Sequence, residues 1–152
     1  RVDVLSAAEM YDAAVRAFEG SDGAVMCAAV ADYTPDRVSD TKIKKCDGDM
    51  CITLRRTRDI AAELGAHKGG RLLVGFALET HDEQAHAEAK LEKKNFDFIV
   101  LNSLRDAGAG FRGDTNKVTF IDRTGREELP LLSKREVAER IAEAMEGLFP
   151  KK

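Results

Sequence analysis

The stretch "RLLVGFALETHDEQAHAEAKLEKKNFDFIVLNSL", residues 71–104, decides the fold. It holds two nearly continuous apolar runs separated by a polar segment of helical composition. Such runs are typical of strands buried on both faces of a parallel sheet, and a helix usually connects parallel strands. Thr80 is the expected helix cap, and Ala85, Ala89 and Leu91 are expected to approach the core. The stretch therefore predicts a β-α-β unit.

The flanking segments extend this pattern on both sides. The opening residues predict a short strand through Val2 and Val4 and a helix that begins with a Ser6–Glu9 capping box and ends at Gly20. "GAVMCAAVADY", residues 23–33, predicts a further doubly buried strand, and residues 59–68 predict a short helix. "KVTFIDRTGREELPLL", residues 117–132, predicts a hairpin before a last helix capped by Ser133.

A polar segment, residues 34–49, lies between the second predicted strand and an alternating strand near Ile52 and Leu54. This segment predicts a flap carried on a hairpin. Together the elements predict one α/β domain over residues 1–152, a Rossmann-like open sheet with a parallel core, an antiparallel edge hairpin and a protruding flap.

Composition excludes several classes of protein. The net charge of −3 argues against a long nucleic-acid footprint, and no apolar run reaches the roughly 20 residues of a membrane span. We expect a cytoplasmic protein that binds neither nucleic acid nor membrane. The cysteines and histidines have no metal-ligand spacing, so we expect no metal site among them; they are read as free thiols at Cys27, Cys46 and Cys51 and surface imidazoles at His67, His81 and His86.

Polar residues follow the predicted strands at their carboxyl ends, where open α/β sheets bind ligands. Asp32 and Glu79 each follow an apolar run, and a buried carboxylate is costly unless something pairs with it. Ordinary strand-end capping explains the two residues equally well. Asn102 and Asn116 are candidates for positioning a substrate, although asparagine is also common in turns.

Lysines are concentrated in two places. Lys42, Lys44 and Lys45 lie in the flap, and further charge comes from Lys68, Lys90, Lys93 and Lys94 near other sheet-end or helix positions. Lys90 and Lys94 are four residues apart on a helix and point the same way, as two ligands of nucleotide phosphates would. The alternative is a solvated face interleaved with Glu88 and Glu92, which is the commoner outcome for charge runs.

The order "AAVADY", "KIKK", "RDIA", "GFALET", the helix lysines, "DFIVLN" and "DTNKV" resembles phosphopantothenoylcysteine synthetase, a ligase domain that many bacteria fuse behind a flavin-dependent decarboxylase. The resemblance runs from Val2 to the last helix. It implies the joining of 4'-phosphopantothenate and cysteine with CTP and Mg²⁺, through an acyl-cytidylate, in coenzyme A biosynthesis. It also implies a homodimer that pairs through the flap hairpin.

The resemblance assigns nucleotide contacts to Met26, Cys27, Ala28, Asp32, Lys42, Arg58, Asp59, Ile60, Ala61, Phe76, Lys90 and Lys94. In this assignment the strand backbone reads the base edge, Phe76 packs on the base, and Asp32 faces the ribose. The lysines hold the phosphates, and Lys42 is the catalytic residue that closes over the acyl-cytidylate. Arg58 stands where the family usually has proline. The family's amino-terminal strand, glycine-rich turn and asparagine have no counterpart before Val2, so we expect the chain to begin inside the domain.

A second hypothesis is a non-catalytic α/β module that binds a nucleotide or a partner chain, with the flap as a dimer arm. Dimerisation does not separate the two hypotheses, whereas turnover does. A nicotinamide oxidoreductase is a weaker alternative, because no GxGxxG motif follows a predicted strand and "GAGFRG" lies in a late loop.

Overall fold

The computed structural model describes residues 1–45, 47–79, 83–103 and 113–149, with the backbone alone at residues 79, 83 and 103. Its helices are α1 (Ala7–Glu19), α2 (Ile60–Ala66), α3 (Glu83–Lys93) and α4 (Lys134–Leu148). Its strands are β1 (Gly23–Met26), β2 (Tyr33–Pro35), β3 (Leu54–Arg56), β4 (Leu72–Glu79), β5 (Phe98–Ser103), β6 (Thr115–Asn116), β7 (Val118–Asp122), β8 (Arg126–Glu128) and β9 (Leu132–Ser133).

The main sheet has the strand order β1-β4-β5-β7-β8. The strands β1, β4 and β5 are parallel, and β7 and β8 continue the sheet antiparallel as a hairpin. The strands β2 and β3 pair antiparallel at the base of the flap, and β6 pairs with β9. The predicted fold class is confirmed, with its parallel core, edge hairpin and flap.

At its first edge the sheet has fewer and shorter strands than the sequence predicts. Val2 and Val4 form no strand and are 71% and 36% exposed, because among the described residues no strand lies beside them to share hydrogen bonds. The strand β1 is confined to Gly23–Met26, and Val25 is 40% exposed. The predicted burial on both faces is wrong here, since β1 is an edge strand within the described chain.

The core lies on both faces of the sheet. One cluster packs α1, α2 and α3 against Leu73, Ile99 and Leu101, and the other packs α4 against Val74, Val100 and Val118. Alternate residues of β4 and β5 thus serve opposite layers, which explains why these strands read as continuous apolar runs.

The core-facing side of α3 differs from the predicted one. Leu91 is buried, as predicted. Ala85 and Ala89 were predicted to approach the core but are exposed, and Ala87 is buried in their place. Residues 87, 90, 91 and 94 follow the spacing of one helical face; Lys94 directly follows the end of α3, and its N–H donates to the Lys90 carbonyl at 3.0 Å. The half-buried Lys90 and Lys94 therefore lie along the buried side of α3. The proposed cap Thr80 lies outside the described residues.

A close helix contact fixes the end of α3. A side chain at Gly65 of α2 would overlap the backbone carbonyl of Lys94, and the Nδ2 of Asn95 donates to the Gly65 carbonyl oxygen at 3.1 Å. Only glycine permits this approach. The contact therefore sets the position of the Lys94 backbone relative to the last turn of α2.

Lys68 lies at the end of the sheet where β4 and β5 begin, opposite the end where these parallel strands finish. It is 8% exposed, its Nζ is 2.8 Å from Asp97 Oδ1, and Asp97 Oδ2 accepts the Leu73 N–H at 2.7 Å. These contacts join the residues that precede β4 and β5. Lys68 is thus a structural ion pair partner and adds no charge to a site at the carboxyl ends.

Candidate functional site

A pocket with a cavity volume of about 160 Å³ lies where β1, β4, α2 and α3 converge. It is lined by Met26, Ala28, Val30, Ala31, Asp32, Thr57, Arg58, Asp59, Ile60, Ala61, Phe76, Lys90, Lys94 and Phe96. Every predicted nucleotide contact lies among these residues except Cys27 and Lys42. Residues far apart in sequence are therefore brought together at the place where an open α/β sheet binds ligands.

The two helix lysines reach this pocket along the core-facing side of α3. Lys94 has a side chain that is 24% exposed, and Lys90 is half-buried. A lysine can bury its aliphatic stem and keep its ammonium group at a polar opening. Because Lys90 and Lys94 share the buried stripe with Ala87 and Leu91, they are not part of a solvated charge face, and the alternative raised from Glu88 and Glu92 is wrong.

Asp59, the N-cap residue of α2, forms an ion pair with Lys94. One carboxylate oxygen caps α2 by accepting the Ala62 N–H at 3.1 Å, and the other lies 3.1 Å from Lys94 Nζ. Burial raises the pKa of Asp59, but the Ala62 hydrogen bond and the charges of Lys94 and Lys93 outweigh it, so the pKa is lowered overall. Asp59 therefore stays ionised near neutral pH and fixes the lysine in place.

Arg58 lines the pocket with its charge already engaged. Its guanidinium donates to Asp12 at 2.8 Å and stacks over the Tyr11 ring, 3.6 Å from the ring centroid. The cation–π contact and the ion pair tie the start of α2 to α1. Arg58 therefore lines the pocket while its guanidinium is paired with Asp12 and Tyr11 of α1.

The remaining strand-end predictions have mixed outcomes. Asp32 lines the pocket but is exposed, so the argument from a buried unpaired charge does not apply to it. The side chain of Glu79 lies outside the described residues. Cys27 and Cys51 are exposed free thiols and His67 and His86 are exposed, as predicted, while Cys46 and His81 are not described.

Lys42 does not line the pocket. It lies exposed on the flap, which leaves the pocket wall at Asp32 and returns at Thr57. The base of the flap is fixed there, because Thr57 donates its N–H to the Asp32 carbonyl at 2.9 Å and its hydroxyl to the Ala31 carbonyl at 2.7 Å. The predicted convergence of three lysines is thus met by Lys90 and Lys94 alone.

Four residues of the pocket wall are not among the predicted nucleotide contacts: Val30, Ala31, Thr57 and Phe96. Ala31 and Thr57 adjoin predicted contacts in the chain, and Val30 lies two residues from Ala28 and from Asp32, so these three need no separate signal. Phe96 had one: Gly75 interrupts the apolar run of β4, and a Cβ there would lie 2.5 Å from the Phe96 ring. A glycine inside a strand often marks such a close approach.

Among the His, Cys, Asp and Glu side chains that the structure describes, no group of three could hold a metal ion. No helix within residues 1–45, 47–79, 83–103 and 113–149 has both the length and the apolar character to cross a bilayer.

The open sheet and the lysine-lined pocket define a Rossmann-like α/β domain with a positively charged pocket. The chain belongs to the family of the DNA/pantothenate metabolism flavoprotein C-terminal domain, which matches residues 1–148. The resemblance seen in the sequence is therefore confirmed at the level of a pantothenate-metabolism domain.

The relatives give this membership more detail. The chain is 45% identical over 148 residues to the coenzyme A biosynthesis bifunctional protein CoaBC of Bacillus subtilis (strain 168), covering 97% of the chain and 36% of that protein. It is 55% identical over 139 residues to a cysteine/cysteine sulfinic acid decarboxylase of an unknown prokaryotic organism, covering 90% of the chain and 39% of that protein. The chain thus spans less than two fifths of either relative.

A solved structure has the same fold. The crystal structure of the C-terminal domain of a CoaBC protein superposes with a TM-score of 0.78 at 38% sequence identity. The match covers 97% of this chain and 64% of that one.

Proposed function

We propose that this domain carries the CTP-dependent ligation of 4'-phosphopantothenate to cysteine in coenzyme A biosynthesis. Family membership and the CoaBC relatives support the pathway. The observation that carries the reaction is the assembly of Lys90 and Lys94 with the strand-end residues in one pocket. Two ammonium groups beside a small, partly apolar cavity suit a polyphosphate attached to a planar base.

In this proposal the two ends of the pocket bind different parts of the nucleotide. Phe76 and the backbone near Met26 and Ala28 hold the base, Asp32 faces the ribose hydroxyls, and Lys90 and Lys94 hold the phosphates. The carboxylate of phosphopantothenate attacks the α-phosphorus, and pyrophosphate leaves with the electron pair of the broken P–O bond. Lys42 closes over the resulting acyl-cytidylate with its flap and stabilises the oxygens on which negative charge develops.

Mg²⁺ is proposed to enter with the nucleotide. The described residues form no carboxylate cage, which agrees with the usual binding of Mg²⁺ through phosphate oxygens and water. No metal ligand is assigned among the described residues.

The flap is proposed to pair two copies of the chain. Its apolar side chains Val38, Ile43, Met50, Ile52 and Leu54 are all at least half exposed. A row of such side chains on one protruding arm suits a protein–protein contact. We also propose, from the bifunctional name of the relatives, that the complete gene product joins this domain to a flavin-dependent decarboxylase domain.

Thermal unfolding with nucleotides tests the proposed substrate. CTP is expected to raise the melting temperature by several degrees at saturating concentration, and equal ATP by much less, because ligand binding to the native state alone stabilises it. Lys90→Ala should remove most of the shift. Lys93→Ala is the matched control, since Lys93 is exposed one residue from Lys94 and lies outside the pocket. Equal shifts with both nucleotides would contradict CTP as the substrate.

Turnover separates the ligase from a non-catalytic nucleotide-binding module. The complete gene product, incubated with phosphopantothenate, cysteine, CTP and Mg²⁺, should release pyrophosphate and form the amide product. Nucleotide binding without pyrophosphate release would favour the binding module instead.

A further inference from the structure

Two buried carboxamide oxygens lie near the carboxyl end of the sheet without a donor in the described part of the chain. They are the Oδ1 atoms of Asn102, in β5, and Asn116, in β6. Asn116 is only 9% exposed. A buried acceptor without a hydrogen bond is costly, so a native protein that keeps two of them needs a reason.

Asn95 shows how this chain treats an asparagine with a structural task. Its Nδ2 donates to the Gly65 carbonyl at 3.1 Å, and its Oδ1 accepts from Arg123 at 3.3 Å. Both ends of that carboxamide are used. The contrast separates Asn102 and Asn116 from the asparagine that holds a turn.

The strand pairing places the two asparagines at the same end of the sheet. Asn102 pairs with Val118 in the last pair between β5 and β7, and Asn116 lies two residues before Val118, in β6, which pairs with β9. Two residues of chain span at most about 7 Å, so Asn116 lies close to the Asn102–Val118 pair. Phe98, Val100 and Val118 pack under α4, and side chains two residues apart share a face. Asn102 therefore extends the α4 face of β5 beyond its apolar residues, and Asn116 lies beside that end of the face.

This position adjoins the candidate site. Phe76, which lines the pocket, pairs with Val100, and Asn102 pairs with Leu78, two pairs further towards the carboxyl ends of the strands. The pocket offers cationic groups, which suit phosphates and carboxylates. The asparagine pair offers two neutral acceptors, which require a donor group.

We propose that Asn102 and Asn116 bind the amino group of the cysteine substrate. This assignment rests on the proposed ligase function. Two substrate groups carry two or more N–H donors on one atom, the amino group of cysteine and the exocyclic amine of cytosine. The proposed function assigns the cytosine base to Phe76 and the backbone near Met26 and Ala28, so the amino group of cysteine is the one left to match the two acceptors. Neutral carboxamides in a buried position do not favour an ammonium ion as carboxylates would, so they hold the amine in its uncharged, nucleophilic form.

The chemical role is to aim the nitrogen lone pair. With its N–H groups bonded to the two carboxamides, the amine turns its lone pair towards the acyl carbon of the acyl-cytidylate. The lone pair forms the amide C–N bond, the bond from the acyl carbon to the phosphate oxygen breaks, and CMP leaves with that electron pair. One proton of the attacking nitrogen passes to solvent. Asn102 and Asn116 are thus substrate-binding residues of the second half-reaction alone.

The test uses Asn102→Leu and Asn116→Leu in the complete gene product. The KM for cysteine should rise about tenfold or more in each variant, the loss expected for one hydrogen bond within a substrate site. Pyrophosphate release from CTP and phosphopantothenate without cysteine should be unchanged. The melting temperature should stay the same or rise, because an apolar side chain replaces an unsatisfied buried acceptor.

Asn95→Ala is the matched control, since it should lower the melting temperature and leave the KM for cysteine unchanged. Should either leucine variant fail to fold, Asn102→Ala and Asn116→Ala are measured in its place. An unchanged KM for cysteine in both positions, or an equal rise in the KM for phosphopantothenate, overturns the assignment. A wild-type protein that releases no pyrophosphate contradicts the ligase function itself, and with it this assignment.

Discussion

The lysines of α3 and the lysines of the flap have opposite physical settings. Lys90 and Lys94 lie on the buried stripe of a packed helix, and Asp59 and the Gly65 contact fix Lys94 in place. Lys42, Lys44 and Lys45 lie exposed on an arm that is anchored at its base by contacts of Ala31, Asp32 and Thr57. The first group is preorganised for binding, and the second has to approach a ligand that is already bound.

The difference teaches that positive charge near a site has two separable tasks. A lysine held at low exposure contributes to affinity because its position costs no further ordering when the ligand arrives. A lysine on an exposed arm contributes at the step at which the arm closes, and the conformational entropy of the arm is lost at that step. Affinity and rate should therefore respond to different lysines.

The largest expected effect is on the rate and comes from the flap. Lys42→Gln should lower kcat about 100-fold, the cost of removing one charge-stabilising group from a transition state. Its effect on CTP affinity should be small, because Lys42 does not line the pocket. Steady-state kinetics with the CTP Kd measured in parallel check this separation.

Lys44→Gln is the control for the flap, since Lys44 is equally exposed two residues away. Equal losses in the two variants would show that the flap acts through its total charge. A CTP affinity that falls together with kcat in Lys42→Gln would remove the distinction between the two groups of lysines.

A third kind of lysine sharpens the comparison through stability. Lys68→Ala should lower the free energy of unfolding by about 3 kcal/mol, because it leaves the carboxylate of Asp97 without its partner in a mostly buried position. Chemical denaturation measures this loss. CTP affinity should persist in the folded protein, and a specific loss of CTP binding would return Lys68 to the candidate site.

The packing that holds Lys94 is tested at Gly65. Gly65→Ala should cost about 2 kcal/mol of stability, because the new methyl group overlaps the Lys94 carbonyl and α2 or α3 has to shift. The melting-temperature shift given by CTP should also shrink. Gly70→Ala serves as the control, since a Cβ at Gly70 meets no atom within 4 Å.

The smallest expected effect is the acid dependence of stability given by Asp59. Its pKa in the folded protein is lowered from 3.8, so its contribution is present above that value and is lost as the pH falls below it through the folded pKa. Asp59→Asn keeps an N-cap residue and removes the charge. The free energy of unfolding, measured by denaturation between pH 5 and pH 2, should fall less steeply with falling pH in the variant than in the wild type. The same pH dependence in both proteins would contradict the Asp59–Lys94 contact.

The sequence predicts the layered fold well where an element follows from a local sequence pattern. The capping boxes at Ser6 and Ser133, the β4-α3-β5 unit and the β7–β8 hairpin follow from local patterns and are confirmed. The errors at Val2, Val25 and Ala85 have a common cause. Each depends on which neighbour lies alongside, and periodicity cannot specify that neighbour.

The candidate site was predicted through a mixture of family resemblance and spacing. The i, i+4 relation of Lys90 and Lys94 was correct, but whether that face meets solvent or core depends on how α3 packs against Phe96 and α2. The engagement of Arg58 by Asp12 and Tyr11 joins residues distant in the chain and gives no local signal. The unsatisfied oxygens of Asn102 and Asn116 become visible only once the burial of each atom is known.

Calorimetric titration of CTP into the wild type and into the Lys90→Ala, Lys94→Ala double variant tests most directly whether the α3 lysines hold a nucleotide. The loss of two charge-assisted hydrogen bonds should weaken CTP binding by about 100-fold or more, while Lys93→Ala binds CTP as the wild type does. CTP affinity that is the same in the double variant and the wild type would contradict the account.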